Sequence, residues 1–157
     1  DDHTPIRDVV RADFKAFLER EPYDGVALVY ATAALLEADD LSRALTRFLE
    51  DRSRPLLAVV PAEAPLERFL AIRDGVLEPA LSGDRFANRT QDLTTVYRDA
   101  GAFAFYAADT LLADTDGAAA MAFRPYVLPA FKGVDIDTED DWRHAEIIKA
   151  GLTALGG

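Results

Sequence analysis

Two short, wholly apolar runs, Val26-Ala27-Leu28-Val29-Tyr30 and Leu56-Leu57-Ala58-Val59-Val60, constrain this chain more than any other feature. Five apolar residues in a row, with no polar alternation, suit a strand buried on both faces of its sheet. Between them lies an amphipathic stretch at about 39–50, with Leu41, Ala44, Leu45, Phe48 and Leu49 expected inward and charges outward. Strand, helix, strand at this spacing predicts a βαβ unit, and hence an α/β fold with a mostly parallel sheet and flanking helices.

The remaining segments fit around that unit in one α/β domain over 1–157. Thr4-Pro5 reads as the cap and first residue of an opening helix, with Ile6, Val9, Val10, Phe14, Phe17 and Leu18 on one face. Pro61, Pro65 and Pro79 interrupt regular structure. Phe69-Leu70-Ala71-Ile72 and Val76-Leu77 flank Arg73-Asp74-Gly75, which predicts a hairpin with an Asp-Gly turn. Residues 61–97 therefore read as an insertion serving as a lid or dimer contact, with 82–99 polar and turn-rich. Phe103-Ala104-Phe105-Tyr106 is a third strand, a short helix follows near 107–113, and extended pieces are expected around Tyr126-Val127-Leu128 and Gly133-Val134-Asp135-Ile136. A helix from about 138 to 154 closes the chain.

At 157 residues the chain is long enough to bury a real core. Its net charge of −11 argues against a nucleic-acid backbone or an anionic membrane as partner. Without cysteine there is no disulfide framework, no thiolate chemistry and no Cys-type zinc site. Neither a signal peptide nor an apolar run of membrane-spanning length is visible, so a cytoplasmic location is the expectation. The chain opens on Asp1-Asp2-His3-Thr4 without Met, which points to processing, truncation or residues upstream.

Asp135 and Asp137 are the sharpest candidates for chemistry. In an extended segment, residues two apart point to the same face. Two carboxylates at the end of a strand make a hard-oxygen site suited to Mg²⁺, which takes one or two carboxylates together with substrate phosphates. The same residues also read as a helix start, with Asp137 or Thr138 as the cap and acids in the first turn. Arg89 and Gln91 place a guanidinium beside an amide, equipment for a carboxylate or a polyhydroxylated ligand, or an ordinary solvated loop. Tyr97 and Asp99, just before Gly101, read as an extension of that patch, with Tyr97 reading equally as a half-buried anchor. His144, among charges on the last helix, reads as a surface residue, and no nucleophile elbow, dinucleotide fingerprint or Walker loop occurs.

Taken in order, Asp2-His3-Thr4, Tyr30-Ala31-Thr32-Ala33, Pro65-Leu66-Glu67-Arg68, Asn88-Arg89-Thr90-Gln91-Asp92-Leu93, Tyr97-Arg98-Asp99-Ala100-Gly101-Ala102-Phe103 and Val134-Asp135-Ile136-Asp137-Thr138 resemble the acylneuraminate cytidylyltransferases, with the pseudaminic acid cytidylyltransferases the nearest branch. The resemblance implies a Rossmann-like nucleotidyltransferase sheet and transfer of CMP from CTP to a nine-carbon sugar acid, pseudaminic or N-acetylneuraminic acid, with release of pyrophosphate. It implies that Asp135 and Asp137 hold Mg²⁺, that Arg89 reaches the sugar carboxylate from the partner subunit of a homodimer, and that Gln91, Thr32 and Phe103 contact substrate. The family begins with a strand and a Gly/Lys/Arg-rich loop that cradles the triphosphate, and this sequence has no such segment. The chain is thus expected to be the C-terminal two-thirds of a longer enzyme, inactive alone, with Val26 to Tyr30 left as an open sheet edge. A truncated, non-catalytic relative acting as a dimerisation module is the alternative. Ala104 and Ala34 stand where the family usually has tyrosine and proline.

Overall fold

A computed structural model describes residues 6–81, 93–113 and 122–156. Its elements are α1 (Ile6–Leu18), β1 (Gly25–Val29), α2 (Ala38–Glu50), β2 (Leu56–Pro61), β3 (Leu70–Arg73), β4 (Val76–Pro79), β5 (Tyr97–Ala107), α3 (Ala108–Leu112), β6 (Arg124–Val127) and α4 (Glu139–Ala154). Both apolar runs form strands, and the amphipathic stretch between them forms α2. They do not form an adjacent pair.

The main sheet has the order β1-β5-β2-β6, with β5 antiparallel to both β1 and β2, and β6 parallel to β2. Three strands thus share one direction, and the fourth runs against them from between the two expected to be neighbours. The sheet is mixed rather than mostly parallel in its pairings. An apolar run carries no information about direction or partner, which is why β5 corrects the expected βαβ adjacency and why β1, expected buried on both faces, leaves Ala27 and Val29 exposed. β1 lies at the sheet edge, with Val29 paired to Phe103.

β5 organises the core through its period of two. Phe103 and Phe105 point to one face, where they pack with Phe48 of α2 and Tyr126 of β6 at ring-centroid distances of 5.5 to 5.7 Å. Ala104 and Tyr106 point to the other, where they meet Phe14 of α1 and Leu111 of α3. Helices therefore cover both faces of the sheet. Leu45 and Leu49 of α2, expected inward, are exposed, as are Ile6, Val9 and Phe17 of α1. Phe14, Ala44 and Phe48 alone complete the inner faces of those helices among the buried apolar residues.

The expected hairpin forms as β3 and β4, a separate two-stranded sheet with Leu70 opposite Pro79. Asp74 and Gly75 both have positive φ, 51° and 80°, as an Asp-Gly hairpin turn requires. The third strand is longer than its apolar stretch, because Tyr97 to Asp99 extend it beside Pro61, Val60 and Val59. Residues 133–136 do not form a strand; they follow a 3-10 turn at Ala130–Lys132. Thr138 caps α4, settling the choice between it and Asp137.

Gly25 joins β1 to β5 at close quarters: an added Cβ would lie 2.5 Å from the carbonyl oxygen of Tyr106. Because the obstacle is backbone, Gly25→Ala is expected to cost about 1–3 kcal/mol, the range for overpacking. Urea unfolding followed by far-UV circular dichroism would read it as a lower midpoint at unchanged slope.

Candidate functional site

The carboxyl ends of β1, β2 and β6 lie at one edge of the sheet, and the start of β5 meets them there, since Tyr97 pairs with Pro61. Open α/β sheets bind ligands outside the carboxyl ends of their parallel strands. Tyr30 and Thr32 follow β1 here, and Asp99, Gly101 and Asp135 meet at the same edge.

A bulge shapes the site. Leu57 faces Ala104, but two residues on, Val59 faces Asp99, so β5 carries extra residues at this point. Bulges re-aim side chains and are common next to active sites. Gly101 sits within it at φ +60°, a conformation that favours glycine. The Asp99 carboxylate accepts the Gly101 backbone N–H at 2.9 Å and holds the turn. Asp135 rests in the space left open: a Cβ on Gly101 would lie 2.7 Å from the Asp135 carboxyl carbon. Asp99 and Asp135 thus converge on Gly101 from different segments.

Tyr30 completes this group. Its backbone N–H donates to the Ala102 carbonyl at 3.0 Å, continuing the β1–β5 ladder by one residue. Burial raises the pKa of its hydroxyl, and the negative charges of Asp99 and Asp135 raise it further. The phenol is therefore held neutral, with a proton to donate. Tyr106 behind it is likewise raised, first by burial and then by Tyr30, with Asp99 adding to the shift against the opposing charge of Arg7.

The segment bearing Asp135 is clamped on both sides. Arg98 donates to the Gly133 carbonyl at 2.8 Å and to Glu63 at 3.2 Å. Gly133 itself packs so closely on Val60 that a Cβ would stand 2.6 Å from a Val60 methyl. Before it, the Lys132 ammonium is buried and donates to Asp40 at 2.6 Å and Glu37 at 2.7 Å. Desolvation pulls the Lys132 pKa down, but the hydrogen bonds and charges of Asp40 and Glu37 outweigh it, and the net shift is upward. Asp40 also accepts the Glu37 backbone N–H, tying the ion pair to the start of α2.

Asp137 lies where the chain enters α4. The Asp141 carboxylate accepts from the Thr138 hydroxyl at 2.7 Å, the Thr138 N–H at 2.8 Å and the Asp137 N–H at 3.3 Å, and these bonds lower its pKa. Asp135 and Asp137 are both exposed. Among the described residues, no group of three or more His, Cys, Asp or Glu side chains gathers in a metal-binding arrangement. Two exposed carboxylates remain compatible with Mg²⁺, whose other ligands are ordinarily water and substrate phosphate.

The other expected site residues divide. Thr32 is half-buried just past the end of β1, at the same edge. Phe103 is fully buried and packs with Phe105 and Tyr126. Arg89 and Gln91 lie outside the described residues, as does His3. His144 is exposed on α4. The sequence reading missed the clamp of Lys132 with Asp40 and Glu37, and it grouped Asp99 with Arg89 rather than with Asp135. The available signal was Gly101 two residues after an Asp, a turn pattern with its own hydrogen-bonding reason. A separate cleft of about 470 Å³ lies between α2, β6 and α4, lined by Arg43, Tyr126, Phe131, Lys132 and Lys149 among others. It includes neither Asp135 nor Asp137.

Fold and site together define an α/β protein with an acidic group at the carboxyl ends of its parallel strands. No family model matches the chain. It is 33% identical over 134 residues to the pseudaminic acid cytidylyltransferase of Campylobacter jejuni subsp. jejuni serotype O:2, a match covering 83% of this chain and 56% of that protein. The pseudaminic acid cytidylyltransferase of serotype O:23/36 is 32% identical over the same length, with the same coverage. The chain is thus similar to the pseudaminic acid cytidylyltransferases, the branch that its motifs resemble. It spans a little over half the length of the curated relatives it matches. No helix among the described residues is long and apolar enough to cross a membrane.

Proposed function

We propose that this chain is part of a Mg²⁺-dependent cytidylyltransferase that transfers CMP from CTP to a sialic-acid-like nonulosonic acid, releasing pyrophosphate. The observation that carries the reading is the seating of Asp135 against Gly101 at the carboxyl edge, in a chain whose relatives are named for this reaction. Pseudaminic acid is the favoured acceptor, after the names of those relatives.

In this reading the anomeric hydroxyl of the sugar attacks the α-phosphorus of CTP and pyrophosphate leaves. Alignment and charge neutralisation do most of the work, as in other phosphoryl transfers. Asp135 and Asp137 would hold Mg²⁺, which when bound supplies charge neutralisation at the phosphates and a lower pKa for the attacking hydroxyl. Gly101 and the clamps at Lys132 and Arg98 keep Asp135 in place without rearrangement. The neutral Tyr30 hydroxyl offers a donor near Asp99 and Asp135. Thr32 lines the sugar side. Arg89, from the second subunit of a homodimer, and Gln91 grip the sugar carboxylate.

The test is pyrophosphate release by the protein as made in its native source. Release is expected only when CTP, Mg²⁺ and pseudaminic acid are all present, and a chelator should stop it. A preparation as long as the relatives that releases no pyrophosphate with any nonulosonic acid would sink the reading.

One observation favours a second reading, a dimerisation module. Ile72, Leu77 and Val76 of the β3–β4 hairpin are 75%, 62% and 59% exposed, an apolar surface of the kind that pairs with another chain. A native protein of 17.2 kDa that self-associates yet ignores Mg²⁺ and CTP would move the conclusion there.

A further inference from the structure

Asp99 is not among the expected metal ligands, yet it stands at the point where β5 departs from regular pairing. Its side chain is not consumed by an ion pair among the described residues; the contact it makes is with the Gly101 N–H, two residues ahead. That bond fixes the turn in which Gly101 takes φ +60°. The missing Cβ of Gly101 is in turn what leaves room for the Asp135 carboxyl group. The chain of dependence runs from one carboxylate, through a backbone amide, to the other.

We propose that Asp99 is a positioning residue that sets the Gly101 turn and thereby holds Asp135 where it can bind a divalent cation. The inference rests on the reading of Asp135 and Asp137 as the Mg²⁺ carboxylates. What Asp99 contributes is an acceptor at a fixed place, not its charge. Asparagine offers the same carbonyl acceptor at the same length, and it too favours such turns. Alanine offers none. Groups that orient metal-binding side chains typically change affinity 10- to 100-fold when removed.

The experiment is a titration of the native-source protein with MnCl₂ alone, reading free Mn²⁺ by electron paramagnetic resonance, with thermal melts of every variant. Asp99→Ala is expected to bind Mn²⁺ at least about tenfold more weakly. Asp99→Asn is expected to bind within about twofold of the unaltered protein, by retaining the acceptor. All three should melt together, since Asp99 is exposed. An Asp99→Ala protein that binds Mn²⁺ normally overturns the inference while leaving the metal site standing. So does an Asp99→Asn protein as weak as the alanine variant, which would make charge the contribution. An unaltered protein that takes up no Mn²⁺ removes the metal-site reading itself, and the inference with it.

Discussion

Asp135→Asn is expected to lower CTP-dependent transfer by at least about 10²-fold in kcat/KM, equivalent to about 2.7 kcal/mol of transition-state stabilisation. The substitution is nearly isosteric, so the contact with Gly101 survives and the fold should not change. What disappears is a negative oxygen ligand. Mg²⁺ binds through hard, charged oxygens, and a neutral amide is a poorer substitute at a site with only two expected protein carboxylates. Steady-state kinetics over a range of MgCl₂ would separate the causes. A loss partly recovered at high Mg²⁺ identifies weakened metal binding; a loss with unchanged Mg²⁺ dependence would assign Asp135 another role. Full activity in Asp135→Asn would remove it from the reaction.

The largest effect on stability is expected at Asp40. Lys132 is buried against Asp40 and Glu37, and Asp40 is itself only 4% exposed. Asp40→Ala leaves the ammonium without its buried partner, which typically costs about 3–5 kcal/mol. The exposed Glu37 carboxylate remains within reach and places the expectation toward the lower end of that range. A double replacement, Asp40→Leu with Lys132→Met, removes both charges and is expected to recover much of the loss. Guanidinium unfolding of the set measures this; equal destabilisation by the single and double variants would mean the pair is not what holds the turn to α2.

The same pair makes a pH prediction. The pKa of Lys132 is raised in the folded protein, above its ordinary 10.5. Its stabilising contribution is therefore fully present below that value and is lost as pH rises through the higher folded value. Unfolding midpoints measured from pH 8 upward should fall in alkali more steeply for the native sequence than for the double variant.

Local signals carried the parts of this structure that local interactions decide. Asp74-Gly75 marked a hairpin because its positive φ values suit that turn, and Thr138 marked the start of α4 because its hydroxyl and Asp141 satisfy the first free N–H groups. The apolar runs at 26–30 and 56–60 were legible as strands for the same reason, but only the second is a buried one; β1 lies at the sheet edge with Val29 exposed, against the expectation of burial on both faces. Their arrangement was not legible. Inserting β5 between β1 and β2 depends on pairing across 36 (Pro61 with Tyr97) to 82 (Gly25 with Ala107) residues of chain, which no local period encodes. At the site, Asp135 and Asp137 stood out because they lie close in sequence. Asp99 reaches Asp135 only through a bulge, and Lys132 reaches Asp40 only through the packing of β6 beside β2. Phe103 shows the opposite limit. A motif position expected to face substrate is filled by a ring on the core side of β5.

The central claim is the transfer of CMP, and following the α-phosphorus tests it most directly. The native-source protein would be incubated with CTP labelled at the α-phosphate, MgCl₂ and pseudaminic acid, and the label traced by chromatography. The account predicts that label leaves CTP and appears in a CMP-sugar, in equal amount to the pyrophosphate released. Label that stays in CTP, or that appears as free CMP regardless of the sugar acid, would contradict it.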